Sequence, residues 1–539
     1  MKHAGLTSDN FGGIIMGGAI SIALIFSITL AAAGQARRAE SPQIAAGYKA
    51  AEFRDADRLE RIKRTFPAID RLYKDHAARN HYPGIAFGIV VDGKLVFAGS
   101  DGFTNIEKKT PVTSQSLFRI ASMSKSVTAM AILKLRDEGK LGLDDPAHLY
   151  VPEMKKMKYP TADSAHITIR QLMTHGAGFP EDNPWGDRQL ADTNKELSEL
   201  IDGQISFSNA PGVTYEYSNL GFALLGRIIT RVSGKPYQQY IRENIWQPLG
   251  MATSEWDYRK IAPEKLAYGY RWLNEKWNDE PLLPDPADGS WGAMGSMISS
   301  IDEFSRYMAL HLSAWPPSNA KDDGPIRRDS IREMHQPWRF TSMQPNFTYP
   351  GGRVCASVTG YGYGLGWQRD CEGRVYVGHG GGLPGFGSHW RVMPEYGIGI
   401  VAYANVTYAG LGNINLQILD LIIREADLKP RQLPVSTVLE KRKAELLKVL
   451  PGWENAEKSG IFAENFFPDN PIDQLKKQHA ELWAKAGKII SVKELAPQNQ
   501  LRGTFVIEGE KIDISVYFTL SPENPPLIQQ VIVREIAKR

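Results

Sequence analysis

Apolar and polar positions along the chain mark out a succession of elements. From about Asp57 to Ala78, Leu59, Ile62, Phe66, Ile69, Leu72 and Tyr73 recur at helical spacing, and Pro67 divides the run into two helices. Gly84 to Val91 and Lys94 to Ala98 are apolar runs flanking Asp92-Gly93, a dipeptide that accepts the positive φ angles of a tight hairpin turn. Phe118-Arg-Ile-Ala-Ser-Met-Ser-Lys125 reads as a loop turning into a helix that continues through Ser126 to Leu135. A turn-rich connection, Leu141 to Glu153, leads to a short helix over Ile167 to His175, ended by Gly176 and Gly178. After Pro211-Gly212 and Tyr217-Ser-Asn219, an amphipathic helix carries Phe222, Leu224, Leu225, Ile228 and Ile229.

From about Pro281 to Pro350 the pattern weakens: Pro, Trp, Gly and charged residues predict irregular lobe surface with one helix near Ile301 to Leu312. Period-two runs return at Gly362 to Gln368, Val375 to Val377, Gly387 to Met393 and Ile398 to Tyr403, an antiparallel meander closed by a helix from about Gly412 to Glu425. Lys429 to Pro434 reads as a linker. Beyond it, helices near Thr437 to Leu450 and Asp473 to Ala486 precede strands around Lys488 to Lys493, Leu501 to Ile507, Ile512 to Phe518 and Ile528 to Arg534. Helices first and strands second predict a small α+β unit, similar to the cystatin-like and nuclear-transport-factor-type folds.

A length of 539 residues leaves room for two or three domains, and a net charge of +3 without a basic run sets nucleic acid aside as a partner. Phe11 to Ala36 contains no charge and ends in small residues, which predicts a secretory signal or, given its length, a retained membrane anchor. The body is therefore expected outside the cytoplasm, periplasmic or extracellular. Cys355 and Cys371 are the only cysteines; they either pair, closing a loop of about fifteen residues, or remain two buried thiols. No metal-ligand spacing is present, and no cofactor is expected.

Three short motifs carry candidate chemistry. Ser122 and Lys125 lie three positions apart at the start of a helix, so both side chains share a face. An amine there can take the serine proton if burial keeps it partly neutral, and the helix N-terminus offers backbone N–H groups to an oxyanion. Read alone, the pair is as well explained by a capping serine and a solvated lysine. Tyr217 and Asn219 end a loop, a common place for both types. His175, alone at a helix end, reads as a hydrogen-bonded structural residue rather than a base. His379-Gly380-Gly381-Gly382 resembles the oxyanion loop of an α/β-hydrolase, but that fold needs a Gly-x-Ser-x-Gly elbow, and the chain has none.

Taken in order, Ser122/Lys125, Tyr217/Asn219 and His379/Gly380/Gly381 together resemble the motifs of the serine β-lactamase and penicillin-binding-protein superfamily. The resemblance spans roughly residues 55 to 428 and includes Phe118-Arg119, the Leu141-to-Pro146 connection, Thr174-His175-Gly176, Pro211-Gly212 and Pro248-Leu249-Gly250-Met251. It implies an α+β fold: an antiparallel sheet flanked by helices with an inserted all-helical lobe. The expected organisation is a leader over 1–36, a hydrolase domain over 50–428, a linker over 429–436 and a C-terminal α+β domain over 437–539.

The resemblance further implies that Ser122 forms an acyl-enzyme and that Lys125 and Tyr217 share the proton, either acting as base. Asn219 would hold Lys125 and the substrate. The N–H groups of Ser122 and Gly382 would form the oxyanion hole beside His379, Gly380 and Gly381. Where relatives carry Lys-Thr-Gly this chain has His379-Gly380-Gly381: the loss of the lysine is neutral, since some family peptidases and many esterases also use His, and the loss of the threonine hydroxyl points to uncharged esters or amides. The expected partner is a small ester, amide or peptide, with a membrane contact through the leader. A β-lactamase or D-alanyl peptidase, and a non-catalytic exported binding protein, are the alternatives.

Overall fold

The computed structural model describes residues 47–281 and 289–538. The leader expected over 1–36 lies outside the described residues. The first helical run is two helices, α1 (Arg58–Lys63) and α2 (Phe66–Arg79), with Pro67 in the first turn of α2, where no backbone N–H is required. β1 (Gly84–Val91) and β2 (Lys94–Asn105) form the hairpin, with Asp92 and Gly93 at φ 49° and 78°. Every residue of β1 is buried, because helices cover both faces of the sheet.

That sheet has nine strands. β3 (Thr110–Pro111) extends the hairpin, and β4 (Arg339–Thr348), β5 (Val354–Tyr361), β6 (Gly366–Asp370), β7 (Val375–Leu383), β8 (Phe386–Met393) and β9 (Ile398–Ala404) follow as a meander. The spatial order is β3-β2-β1-β9-β8-β7-β6-β5-β4, antiparallel throughout. The last strand of the meander, β9, pairs with β1, Ile85 facing Ala404 and Val91 facing Ile398. The two ends of the domain are thereby joined through the middle of the sheet.

One face is covered by α3 (Ser124–Asp137), α4 (Ile169–Met173), α5 (Asn219–Ser233) and α6 (Ile301–Ser313), which build the larger core with Trp246, Trp291 and Trp390. The other face is covered by α1, α2 and α7 (Gly412–Glu425) over Phe87, Ile89 and Ile400. α3 is buried around nearly its whole circumference, so its side chains must be apolar or fully partnered. This is the setting of Lys125.

Several stretches differ from the sequence expectation: helices Asn194–Asp202, Tyr237–Ile241 and Arg328–Met334 and strand β5 were not predicted, the last of these helices inside the span read as carrying one helix. The span read as irregular surface holds β4, whose pattern is obscured because it is an exposed edge strand with Pro345 and two register shifts. A hairpin, Gly269–Leu273 with Lys276–Glu280, was not anticipated; Asn274 and Glu275 turn at φ 53° and 56° without a glycine. The glycines after Val377 do not leave the sheet: β7 runs on to Leu383.

Cys355 and Cys371 are joined in a disulfide with Cα atoms 5.6 Å apart, tying β5 to the end of β6. In the chain-entropy account a loop of this length contributes about 3 kcal/mol.

The C-terminal unit has its own core around Trp453, Phe466, Phe505 and Phe518. α8 (Thr437–Val449) and α9 (Ile472–Ala486) accompany antiparallel strands Ile489–Val492, Ala496–Asn499, Arg502–Gly509, Asp513–Leu520 and Ile528–Ile536. The short strand with Pro497 is the one the sequence pattern did not reveal.

Candidate active site

Ser122 sits in a single 3-10 turn, Ala121–Met123, that leads into α3. Ala121 is held at φ 50°, a left-handed conformation that costs a residue with a Cβ about 1 kcal/mol or more. Neighbouring elements hold the turn there: Ile120 N donates to Met297 O (2.9 Å), Ser388 Oγ donates to Ile120 O (2.7 Å), and Ser124 Oγ donates to Ala121 O (2.7 Å). β7 approaches at Gly381, where a Cβ would lie 2.3 Å from Ile120 O and 2.4 Å from Ser388 Oγ. Only glycine lets the strand lie this close to the turn that carries the serine.

Lys125, one turn along α3, is fully buried. Its Nζ donates to Ser122 Oγ (2.9 Å), Asn219 Oδ1 (2.7 Å) and the backbone oxygen of Met294 (2.9 Å). Burial pulls its pKa down to about 7, an effect partly offset by Asp182, Asp187 and Glu181. The nitrogen stands 4.9 Å from the centre of the Tyr217 ring and 5.7 Å from that of Phe222.

Tyr217 shares a hydrogen bond with Ser122. Burial holds its phenol well above its ordinary pKa, so it is a neutral hydroxyl. His175 fixes the loop on both sides of it: His175 O accepts from Glu216 N (2.9 Å), His175 Nδ1 accepts from Ser218 N (3.0 Å), and the two rings lie 4.3 Å apart. His175 thus contacts the site through Tyr217, a role between the two readings its sequence position suggested.

Asn219 opens α5. Its amide is oriented by donation from Nδ2 to Asn183 Oδ1 (2.7 Å), which leaves Oδ1 for Lys125. Asp182 caps the same helix start, accepting from Asn219 N (2.6 Å) and Leu220 N (2.9 Å). Gly186 packs against Asn219, since a Cβ there would lie 2.8 Å from its amide. His379 is buried and neutral, its pKa lowered to about 4 by burial and by Lys125, and its Nε2 meets Tyr361 Oη at 2.9 Å. Beyond Gly378, β7 has lost β6 as a partner, so Gly380, Gly381 and Gly382 present an open strand edge. Gly382 lies under Tyr408, whose hydroxyl donates to the buried Asp187 (3.0 Å).

The fold therefore gathers Ser122, Lys125, Tyr217 and Asn219 around one point, with His379 to Gly382 alongside. Sequence reasoning did not find Asp182, Asn183, Met294 or Tyr361. The first two, Asp182 half-buried and Asn183 exposed, lie in a loop of turn formers, and Met294 acts through its backbone, which no residue pattern reveals. Among the described residues no group of His, Cys, Asp or Glu is arranged to hold a metal ion.

A serine at a helix start bonded to a buried lysine, between a helical lobe and an antiparallel sheet, is the arrangement of the serine β-lactamase and penicillin-binding-protein class of fold. The β-lactamase family model matches residues 69–421, and the chain belongs to that family. Protein flp of Staphylococcus aureus (strain NCTC 8325 / PS 47) is 28% identical over 341 residues, 63% of this chain and 62% of that protein. Penicillin-binding protein 4* of Bacillus subtilis (strain 168) is 26% identical over 311 residues, 54% of this chain and 62% of that protein. The chain thus spans less than two thirds of the length of these curated relatives. Among solved structures, D-amino acid amidase from Ochrobactrum anthropi SV3, complexed with L-phenylalanine amide, superposes with a TM-score of 0.51 at 25% identity. That match covers 67% of this chain and 96% of the amidase.

Proposed function

We propose that this protein is a serine hydrolase that forms an acyl-enzyme on Ser122, acting as a carboxylesterase or amidase on small esters or amides. The observation that carries the reading is the set of partners around Lys125 Nζ. Asn219 Oδ1 and Met294 O can only accept, so a neutral amine gives its two protons to them and turns its lone pair toward Ser122. Burial lowers the lysine pKa to about 7, so the neutral amine is accessible at neutral pH.

In the acylation step Ser122 Oγ attacks the substrate carbonyl as its proton passes to Lys125 Nζ. The carbonyl oxygen becomes an oxyanion, for which the N–H groups of Ser122 and Gly382 are the proposed donors. Lys125 gives the proton to the leaving oxygen or nitrogen, with the neutral Tyr217 hydroxyl as relay, and the bond to the leaving group breaks. Water then repeats the sequence on the ester of Ser122, releasing the acid. The phenol's raised pKa favours Lys125 over Tyr217 as base.

The similarity to an amidase and to a penicillin-binding protein keeps amides and β-lactams beside esters as substrates. Hydrolysis of aryl esters, D-aminoacyl anilides and a chromogenic cephalosporin, each compared with Ser122→Ala, tests the assignment. Turnover of the ester or anilide that vanishes in the variant supports it; turnover of the cephalosporin alone favours a β-lactamase; no turnover of any favours a binding protein. The uncharged span from Phe11 to Ala36 supports export, which cell fractionation with the full chain tests.

A further inference from the structure

Tyr408 ties the two walls of the cleft together. It sits at φ 54°, a left-handed conformation unfavourable for a bulky side chain and one that persists only where the surroundings enforce it. The sheet supplies that enforcement: Tyr408 N donates to Phe386 O (3.2 Å) and Leu383 O (3.3 Å), and Thr407 N donates to Tyr270 O (2.8 Å). From there the side chain reaches around the open edge of β7. A Cβ on Gly382 would lie 2.8 Å from Tyr408 Cδ1, and the hydroxyl donates to Asp187 Oδ2 (3.0 Å). Asp187 belongs to the opposite wall. It lies in the turn Gly186–Arg188, next to the glycine that packs on Asn219. The tyrosine ring therefore bridges from the strand that bears Gly382 to the lobe that bears Asn219.

Where the protons go fixes how a substrate must lie. A leaving group takes its proton from Lys125 or Tyr217, so it departs on the Tyr217 side of Ser122. Tyr217 lies beside His379, with ring centres 6.2 Å apart, and a cavity of about 420 Å³ lined by Tyr217, Tyr361, His379 and Gly380 opens there. His379 and Gly382 are three residues apart on β7, about 10 Å along the strand. With the carbonyl oxygen at the N–H groups of Ser122 and Gly382, the acyl chain is left with the direction away from Tyr217. Tyr408 and Asp187 stand across that direction.

We propose that Tyr408, latched to Asp187, closes the acyl end of the cleft, so that the substrates of Ser122 carry a short acyl group and place their bulk in the leaving group. The inference rests on the hydrolase reading above and narrows its substrate class to acetyl-sized esters or amides of larger alcohols or amines. Tyr408 is then a specificity-determining residue that touches the acyl group, and Asp187 a positioning residue that acts through it.

The test lengthens the acyl chain of nitrophenyl esters from acetate through butyrate to hexanoate. A second series keeps the acetyl group and enlarges the alcohol from phenyl to naphthyl. In the wild-type protein kcat/KM should fall at least about tenfold from acetate to hexanoate and stay within about threefold between the phenyl and naphthyl acetates. Tyr408→Ala should raise the hexanoate-to-acetate ratio at least about tenfold. Tyr408→Phe, which keeps the ring and loses its bond to Asp187, should raise that ratio less. A wild-type protein as active on hexanoate as on acetate, one that loses as much in the leaving-group series, or a ratio unchanged in Tyr408→Ala overturns the proposal. A Tyr408→Phe ratio equal to that of the wild type overturns the part given to Asp187. The wild-type series stand even if a variant does not fold. No turnover of any ester, together with no fluorophosphonate mass on Ser122, would instead overturn the hydrolase reading itself.

Discussion

Asn219 Oδ1 accepts from Lys125 Nζ at 2.7 Å while the other end of the same amide donates to Asn183, so the oxygen cannot be exchanged for the nitrogen without breaking a second bond. The buried lysine is thus met by a neutral acceptor, and its charge is not stabilised as a carboxylate would stabilise it. Asn219→Asp is expected to raise the lysine pKa and to move the rise of kcat/KM from about pH 7 upward by a unit or more. At pH 7 the loss should be at least about tenfold. A pH profile of the variant that overlays the wild type would contradict the lysine's role as base.

In the unaltered protein the sign is fixed by the same group. Lys125 must be unprotonated to accept, so kcat/KM should increase through about pH 7 as the amine loses its charge. Lys125→Arg keeps a cation that does not deprotonate and should lower activity by roughly 10²–10⁴ at every pH. Retention of a neutral-pH limb in this variant would assign the ionisation to another group.

Gly381 is predicted to tolerate no side chain, for a steric reason. A Cβ there meets the backbone oxygen of Ile120 at 2.3 Å, so Gly381→Ala must part β7 from the turn that carries Ser122. Activity should fall by about two orders of magnitude, whereas Gly380→Ala, whose nearest neighbour is the His389 ring at 3.4 Å, should cost far less. Equal effects would mean that the strand is not braced on that turn.

The folded protein should lose stability in mild acid. His379, His335 and His479 have pKa values lowered from 6.5 to about 4, 3 and 4, chiefly by burial. The unfolded chain therefore binds more protons below pH 6.5, and the stability these groups contribute is full above that value and lost as pH falls toward their folded values. Asp187, pushed up to about 6, and Glu181, Asp182, Asp192 and Glu395, also raised by burial, oppose this. Lys125, lowered to about 7, and the buried His175, His311 and His389, held well below their ordinary value, act with the first three histidines. Thermal unfolding followed at pH 7.5 and pH 5 should show a lower Tm at pH 5; an unchanged or higher Tm would contradict the neutral buried imidazoles.

Much of this architecture was legible because its signals are local. Asp92-Gly93 dictates a hairpin, Pro67 a helix start, and the apolar period of Phe222 to Ile229 a buried helix. The edge strand β4 was not legible, because a strand with one solvent face and an internal proline loses its alternation. The candidate triplets were visible as residue types, but what surrounds them was not. Met294 offers a backbone oxygen, and Asp182 and Asn183 come from a loop without periodicity.

The account stands on Ser122 as a nucleophile made reactive by Lys125. Incubation with a fluorophosphonate, and separately with a penicillin, followed by peptide mapping of the adduct, tests this most directly. Fluorophosphonate mass on the peptide containing Ser122, greatly slowed in Lys125→Arg, is the predicted result, and added penicillin mass would extend the substrates to β-lactams. A folded protein that acquires no mass at Ser122 from either reagent, or labels equally fast without the lysine, would contradict it.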